Sequence, residues 1–151
     1  MIETCHRDCE ALVSIHEESD VVIARKHLRD LADKQGLPRN VVETLAIALT
    51  EVARNIVVHA WSGEVLLSIV QEGKRIACMI VARDHGPGIA DINLAMQDGY
   101  SSVSSLGFGL PGAQRLVDEF LLESTLGQGT TIIMKKWVER EADRNSLRGI
   151  L

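Results

Sequence analysis

The spacing of apolar residues changes period several times along the chain. Ala11 to His16 alternates, with Leu12, Val13 and Ile15 apolar, and predicts a short strand; the run Glu17-Glu18-Ser19-Asp20 breaks it and offers helix caps. Val21, Ala24, Leu28, Leu31 and Ala32 then recur at helical intervals until Gly36, with Pro38 just past the stop. Asn40 is placed to cap a second helix, in which Leu45, Leu49, Val52 and Ile56 form one continuous stripe that ends near His59 to Gly63. Two β-rich segments, Glu64 to Val70 and Ile76 to Ala82, flank the polar turn Gln71-Glu72-Gly73-Lys74-Arg75 and predict a hairpin.

From Asp84 to Gly109 the chain is rich in glycine and serine, with one short helical candidate at Asp91 to Met96. So long a connection inside a compact domain is usually functional or mobile. Pro111 to Phe120 then reads as a helix, Leu121 to Ser124 as a strand, and Thr130 to Trp137 as a strand rich in β-branched residues. The order β-α-α-β-β-loop-α-β-β, with strands joined by tight turns that cannot be parallel, predicts an α+β fold. This is a two-layer sandwich whose mixed, mostly antiparallel sheet carries helices on one face.

A length of 151 residues suits one domain, expected over residues 1–137, with 138–151 a charged tail. Sixteen Lys and Arg against twenty-one Asp and Glu leave a net charge of -5, which argues against a nucleic-acid partner, since duplex binding draws on a basic face. Single-strand binding leans on stacked aromatics, and the five present are Trp61, Tyr100, Phe108, Phe120 and Trp137. Cys5, Cys9 and Cys78 are odd in number and lack Cys-x-x-Cys spacing, which fits a reducing cytoplasm. Acidic residues at the N-terminus and the lack of a long apolar run predict a soluble, unexported protein with no membrane partner.

Gly107-Phe108-Gly109-Leu110-Pro111-Gly112 spells G-x-G-x-x-G, but no apolar strand precedes it, so the dinucleotide fold that shares this pattern is excluded. The chain is also too short for a eukaryotic-type kinase and carries no lysine-bearing phosphate loop. What remains is a run of glycines whose backbone amides can approach an anion, directly before a helix N-terminus. Glu51 and Asn55, one turn apart on the second helix, border its apolar stripe; a carboxylate and an amide oxygen so placed suit a hydroxyl to be deprotonated and a hard cation to be held. Asp84, followed by His85-Gly86-Pro87-Gly88-Ile89, sets an acceptor where an exocyclic amine can be received, and a base with a carbonyl there would leave it unpaired. In Gly127-Gln128-Gly129-Thr130, the threonine hydroxyl can reach the same ring.

These four segments, E-x-x-x-N, D-x-G-x-G, G-x-G-L and G-x-G-T in that order, resemble the N, G1, G2 and G3 boxes of the GHKL ATP-binding superfamily, over about Leu12 to Trp137. The resemblance implies the Bergerat-type (histidine-kinase-like ATPase) sandwich, with ATP and Mg2+ as cofactors and the glycine- and serine-rich connection as a lid. On it, Asn55 holds magnesium and Glu51 is the general base. Asp84, Gly86, Gly88, Ile89 and Thr130 bind the base, and Gly107, Phe108, Gly109 and Leu110 bind phosphate. Among small free-standing members, Glu51-Val52-Ala53-Arg54-Asn55-Ile56, Met96-Gln97-Asp98-Gly99-Tyr100-Ser101 and Leu116-Val117-Asp118-Glu119-Phe120 are similar to the stressosome switch-protein serine/threonine kinases. Phe108, where the family more often has leucine, and the long tail depart from that pattern.

What this implies is phosphorylation of STAS-domain antagonist and scaffold proteins, followed by release and activation of a PP2C-type phosphatase. Two other functions stay open: an anti-sigma factor that uses the same nucleotide site, and a nucleotide-gated binding module without turnover.

Overall fold

The computed structural model describes residues 6–97 and 109–139. Among these the order is β1 (His6–Ile15), α1 (Glu18–Lys34), α2 (Arg39–His59), β2 (Gly63–Glu72), β3 (Arg75–Asp84), α3 (Ile92–Ala95), α4 (Gly109–Leu116), β4 (Glu119–Thr125) and β5 (Gly129–Glu139). The strands form one sheet in the order β1-β2-β3-β5-β4. Each of its neighbouring pairs is antiparallel, so the mixed sheet expected from the sequence contains no parallel pair among the described residues.

The helical stripes behave as their spacing predicts. Val21, Ala24, Leu28, Leu31 and Ala32 are buried on α1, and Leu45, Leu49, Val52 and Ile56 on α2. They pack on the sheet face that carries Val65, Leu67, Ile69, Ile76, Cys78, Ile80 and Ile132. The intervening residues Val70, Ala77 and Met79 point to the other face and make a second, smaller cluster with Val81, Ile133 and Trp137, as the two-residue period of a strand requires.

Several boundaries move, each for a local reason. β1 starts at His6 because its polar first half pairs with β2 through backbone bonds that apolar alternation does not signal. α1 starts at Glu18, where Asp20 Oδ2 accepts the amides of His16 at 2.8 Å and Glu17 at 3.1 Å. Those backbone bonds hold the Asp20 carboxyl below its ordinary value of 3.8. α2 begins after Pro38, not at Asn40: the Pro38 carbonyl takes the amides of Val41 and Val42, and Asn40 lies inside the first turn.

The β2–β3 turn shrinks to Gly73-Lys74, because Glu72 pairs with Arg75 and their polar side chains hide ladder positions. α4 runs from Gly109 to Leu116, two residues earlier than Pro111 and well short of Phe120. The amide of Asp118 bonds the Lys135 carbonyl, and Phe120 enters β4 opposite Met134 and packs against the core, so sheet pairing overrides a helical spacing. β5 continues through Val138, paired with Ile76, to Glu139, where a tail was expected.

Candidate active site

α2 forms one wall of the site. Its buried stripe leaves Glu51 and Asn55 half-buried at the border, as their angle on the helix requires. Glu51 Oε2 accepts the backbone N–H of Gly109 at 3.1 Å. Gly109 opens α4, which packs on α2 and sinks Leu110 and Ala113 into the core. The carboxylate and the glycine segment, 58 residues apart in sequence, are thereby in direct contact. On the outer side of the same helix Arg54 pairs with Glu18 of α1 at 2.5 Å.

About 13 Å further along the axis of α2, by helical rise, the helix ends at the second half of the site. Asp84, the last residue of the central strand β3, is only 6% exposed. Its Oδ1 accepts the amides of Gly86 at 2.9 Å and Thr130 at 3.2 Å, which joins the D-x-G-x-G turn to the G-x-G-T turn through one carboxylate oxygen. The chain passes here with no room for side chains. A Cβ on Gly86 would lie 2.6 Å from the Ala60 Cβ at the end of α2, and one on Gly88, whose φ is +80°, would lie 2.5 Å from the Thr125 carbonyl oxygen. The Pro87 carbonyl accepts the Gly127 amide at 2.9 Å and closes the two turns on each other.

Ser124, on β4, was not among the residues singled out from the sequence. Its Oγ accepts the Ile89 amide at 2.7 Å, lies 2.8 Å from Thr130 Oγ1 and donates to the Gly129 carbonyl at 3.2 Å. The register of the β4–β5 hairpin, in which Ser124 faces Thr130, is the signal that could have found it. Gly63 was also overlooked: it pairs with Asp84, and a Cβ there would lie 2.5 Å from the Arg83 carbonyl oxygen.

Of the residues predicted from sequence, the structure therefore gathers two groups: Glu51 with Gly109, and Asp84 with Gly86, Gly88, Ile89 and Thr130. Asn55 lies one turn from Glu51, and Leu110 follows Gly109 into the core. Residues 98–108 of the expected lid, Gly107 and Phe108 among them, and residues 140–151 of the tail lie outside the described residues.

The donor chemistry fits the cofactors implied. Among the described residues there is no cluster of three or more His, Cys, Asp or Glu that could hold a metal by itself. Magnesium commonly takes one or two protein oxygens, keeps several waters and completes its shell with substrate phosphates, so a site built around the Asn55 amide oxygen suits it. The glycines around Asp84 let the turns pack backbone against backbone, which holds the Asp84 carboxylate at a fixed place at the end of β3 where it can accept an amine. Among the described residues, no helix is long and apolar enough to cross a membrane.

Comparison with known proteins agrees with this fold. A family model for the histidine kinase-like ATPase domain matches residues 16–136. The chain belongs to that family, an ATP-using class whose fold is the two-layer sandwich seen here. Within the family the chain stands with the serine/threonine-protein kinases: it is 40% identical over 129 residues to the serine/threonine-protein kinase RsbT of Bacillus subtilis, covering 85% of this chain and 97% of that one. It is also 31% identical over 101 residues to an anti-sigma F factor of Clostridium acetobutylicum, covering 63% of this chain and 69% of that one. The crystal structure of the RsbU and RsbW domains of a Mycobacterium tuberculosis protein shares the fold, at a TM-score of 0.54 and 17% identity, covering 83% of this chain and 32% of that one.

Proposed function

We propose that this chain is a cytoplasmic kinase that phosphorylates serine or threonine on STAS-domain antagonist and scaffold proteins of a bacterial stressosome. Once released from them, it binds and activates a PP2C-type phosphatase. The observation that carries the catalytic part is the bond between Glu51 and the Gly109 amide, which brings a carboxylate to the start of the glycine-loop helix. The partner assignment rests on the likeness to RsbT over almost the whole of both chains.

Bound ATP and magnesium supply the transferring phosphoryl group and the charge neutralisation that such transfer needs. The chain's own part is to position and to move one proton. Asp84 accepts the exocyclic amine of adenine beside the two amides it already holds. Asn55 offers its amide oxygen to the cation. In the first turn of α4 the Gly109 amide is held by Glu51 and Pro111 has none, so Leu110 and Gly112 carry the amides left for the phosphates, at an end where the helix dipole favours negative charge. With Glu51 Oε2 bonded to Gly109, Oε1 is the oxygen left to take the proton of the attacking hydroxyl.

Radiolabelled ATP and a STAS-domain substrate test the assignment. Glu51→Ala is expected to lower transfer by about 10²- to 10⁴-fold with Mg-ATP binding retained, as loss of a general base does. Asp84→Asn is expected to weaken Mg-ATP binding itself. Full transfer by the Glu51 variant would overturn the base assignment.

The match to anti-sigma F factors supports a second reading, in which the same nucleotide site serves a protein that sequesters a sigma factor. Co-purification with a sigma factor, and none with STAS-domain proteins, would favour it.

A further inference from the structure

We propose that Trp61 anchors a docking surface for the protein that accepts the phosphoryl group, a surface that runs from Val58 on α2 through Trp61 and Pro87 to Leu126 in the β4–β5 turn. This rests on the kinase reading above, and goes beyond it in assigning residues outside the four boxes to recognition of the acceptor.

The two long helices end in the same way. After α1, Gln35 is followed by Gly36 at φ +66°; after α2, Ala60 is followed by Trp61, also at φ +66°. Glycine is the residue that this left-handed position favours, and a bulky side chain there carries a backbone cost that glycine does not. Trp61 is the one non-glycine residue with positive φ among the described residues. Its side chain adds little packing to the fold, because it is 77% exposed, more than any other large apolar residue described. A strained backbone and an indole left in water are separate costs at one position, and contact with another molecule would offset both.

Trp61 does not stand alone. Val58, itself 42% exposed, lies one turn beyond Asn55 on the face of α2 that carries Glu51 and Asn55. Past the helix, Ala60 abuts the Gly86 turn, whose exposed Pro87 is tied through its carbonyl to the Gly127 amide. Leu126, next to Gly127 and 64% exposed, has its Cα only 3.2 Å from where a Cβ on Gly88 would lie. Four apolar side chains from three segments therefore border the site, held there by backbone contacts.

The reaction names the occupant. A protein hydroxyl can give its proton to Glu51 only if the surface that bears it lies over this site. Trp61 follows Glu51 by ten residues, about 15 Å by helical rise. An ordinary protein interface covers about 800 Å2 on each partner, a disc of about 16 Å radius. An acceptor centred on the reacting hydroxyl reaches Trp61 at its edge, and one centred between the two covers both. Tryptophan is among the residues that most often dominate the energy of such contacts. The acceptor is accordingly a folded protein with an apolar patch about 15 Å from the hydroxyl it presents, a distance that a few residues around that hydroxyl do not span.

The test is steady-state transfer from radiolabelled ATP to a STAS-domain substrate by the full chain and by Trp61→Gly and Leu126→Ser. Trp61→Gly places at the end of α2 the residue that already ends α1, so the fold is retained. Its KM for the acceptor is expected to rise roughly tenfold to thirtyfold, and that of Leu126→Ser by less, with kcat and Mg-ATP binding unchanged. An unchanged KM in Trp61→Gly would overturn the inference and leave the kinase reading intact. Weaker Mg-ATP binding in step with the rise in KM would show a structural role and overturn it as well. Loss of self-association, or of phosphatase activation, at an unchanged KM would assign the patch to that other partner and overturn it too. No transfer by the unsubstituted protein would remove the kinase reading together with this one.

Discussion

Replacing Gly129 with alanine tests how closely the two turns of the site are pressed together. Gly129 has φ +126°, and a Cβ there would lie 2.1 Å from the Asp84 carbonyl oxygen and 2.9 Å from both the Asp84 carbonyl carbon and the His85 Cα. All three neighbours are backbone, so no side chain can swing aside. Relief requires the ends of β3 and β5 to part, and that motion stretches the bond from the Thr130 amide to Asp84 Oδ1. The left-handed backbone costs alanine about 1–3 kcal/mol and the overlap about as much again. Together this is a large share of the roughly 5–15 kcal/mol that holds a domain folded.

Gly127→Ala is the internal control. Gly127 sits in the same turn with φ +76°, but a Cβ there meets nothing within 4 Å, so only the backbone cost applies. Urea unfolding followed by far-UV circular dichroism should place Gly129→Ala well below Gly127→Ala in midpoint. At about 2–4 °C per kcal/mol for a chain of this size, its melting temperature should fall by about 5–20 °C. Equal midpoints for the two variants would refute the close approach of these strands.

Two further expectations concern titratable groups. The Asp20 carboxyl is held below 3.8 by the amides of His16 and Glu17, so its contribution to stability is present above its ordinary value and lost as pH falls through the lowered one. Asp20→Asn should therefore flatten part of the acid limb of stability against pH, and an unchanged limb would refute this capping of α1. Burial pushes the Cys78 thiol up to about 12, so the nucleophilic thiolate is scarce in the folded protein. Alkylation of the Cys78 peptide by iodoacetamide, mapped by mass spectrometry, should rise only as the protein unfolds, and rapid labelling of the native protein would contradict this.

The main elements were legible because α1 and α2 carry uninterrupted apolar stripes and β2, β3 and β5 are rich in β-branched residues, signals that depend on near neighbours. The ends of elements were less so. The first half of β1 and the turn of the β2–β3 hairpin are polar, and their pairing is a property of two segments at once. Phe120 shows the conflict directly: it stands four residues beyond Leu116 at helical spacing, yet the ladder with β5 claims it. In the site, residues with distinctive chemistry such as Glu51 and Asp84 stood out, and each is found with a partner from the expected segments. Ser124 did not, because one serine in a short strand looks like any other until the hairpin register sets it opposite Thr130. Ala60 was equally silent, since its importance is the absence of bulk where Gly86 passes.

The two tryptophans stand at opposite ends of the sheet. Trp137 pairs with Ala77, seven residues before Asp84 on β3 and so roughly 23 Å from the site by strand rise. Its indole bonds Glu119 and lies under the Arg75 guanidinium, 4.1 Å from the ring centroid. Trp61 follows directly on Ala60, which abuts the Gly86 turn, and is 77% exposed to water. The fold thus carries two optical probes with different surroundings. One is a clamped indole that reports on the integrity of the sheet. The other is open to aqueous quenchers such as iodide and sits where α2 meets the turns around Asp84. Their emission separates events at the site from unfolding of the whole without any dye being attached.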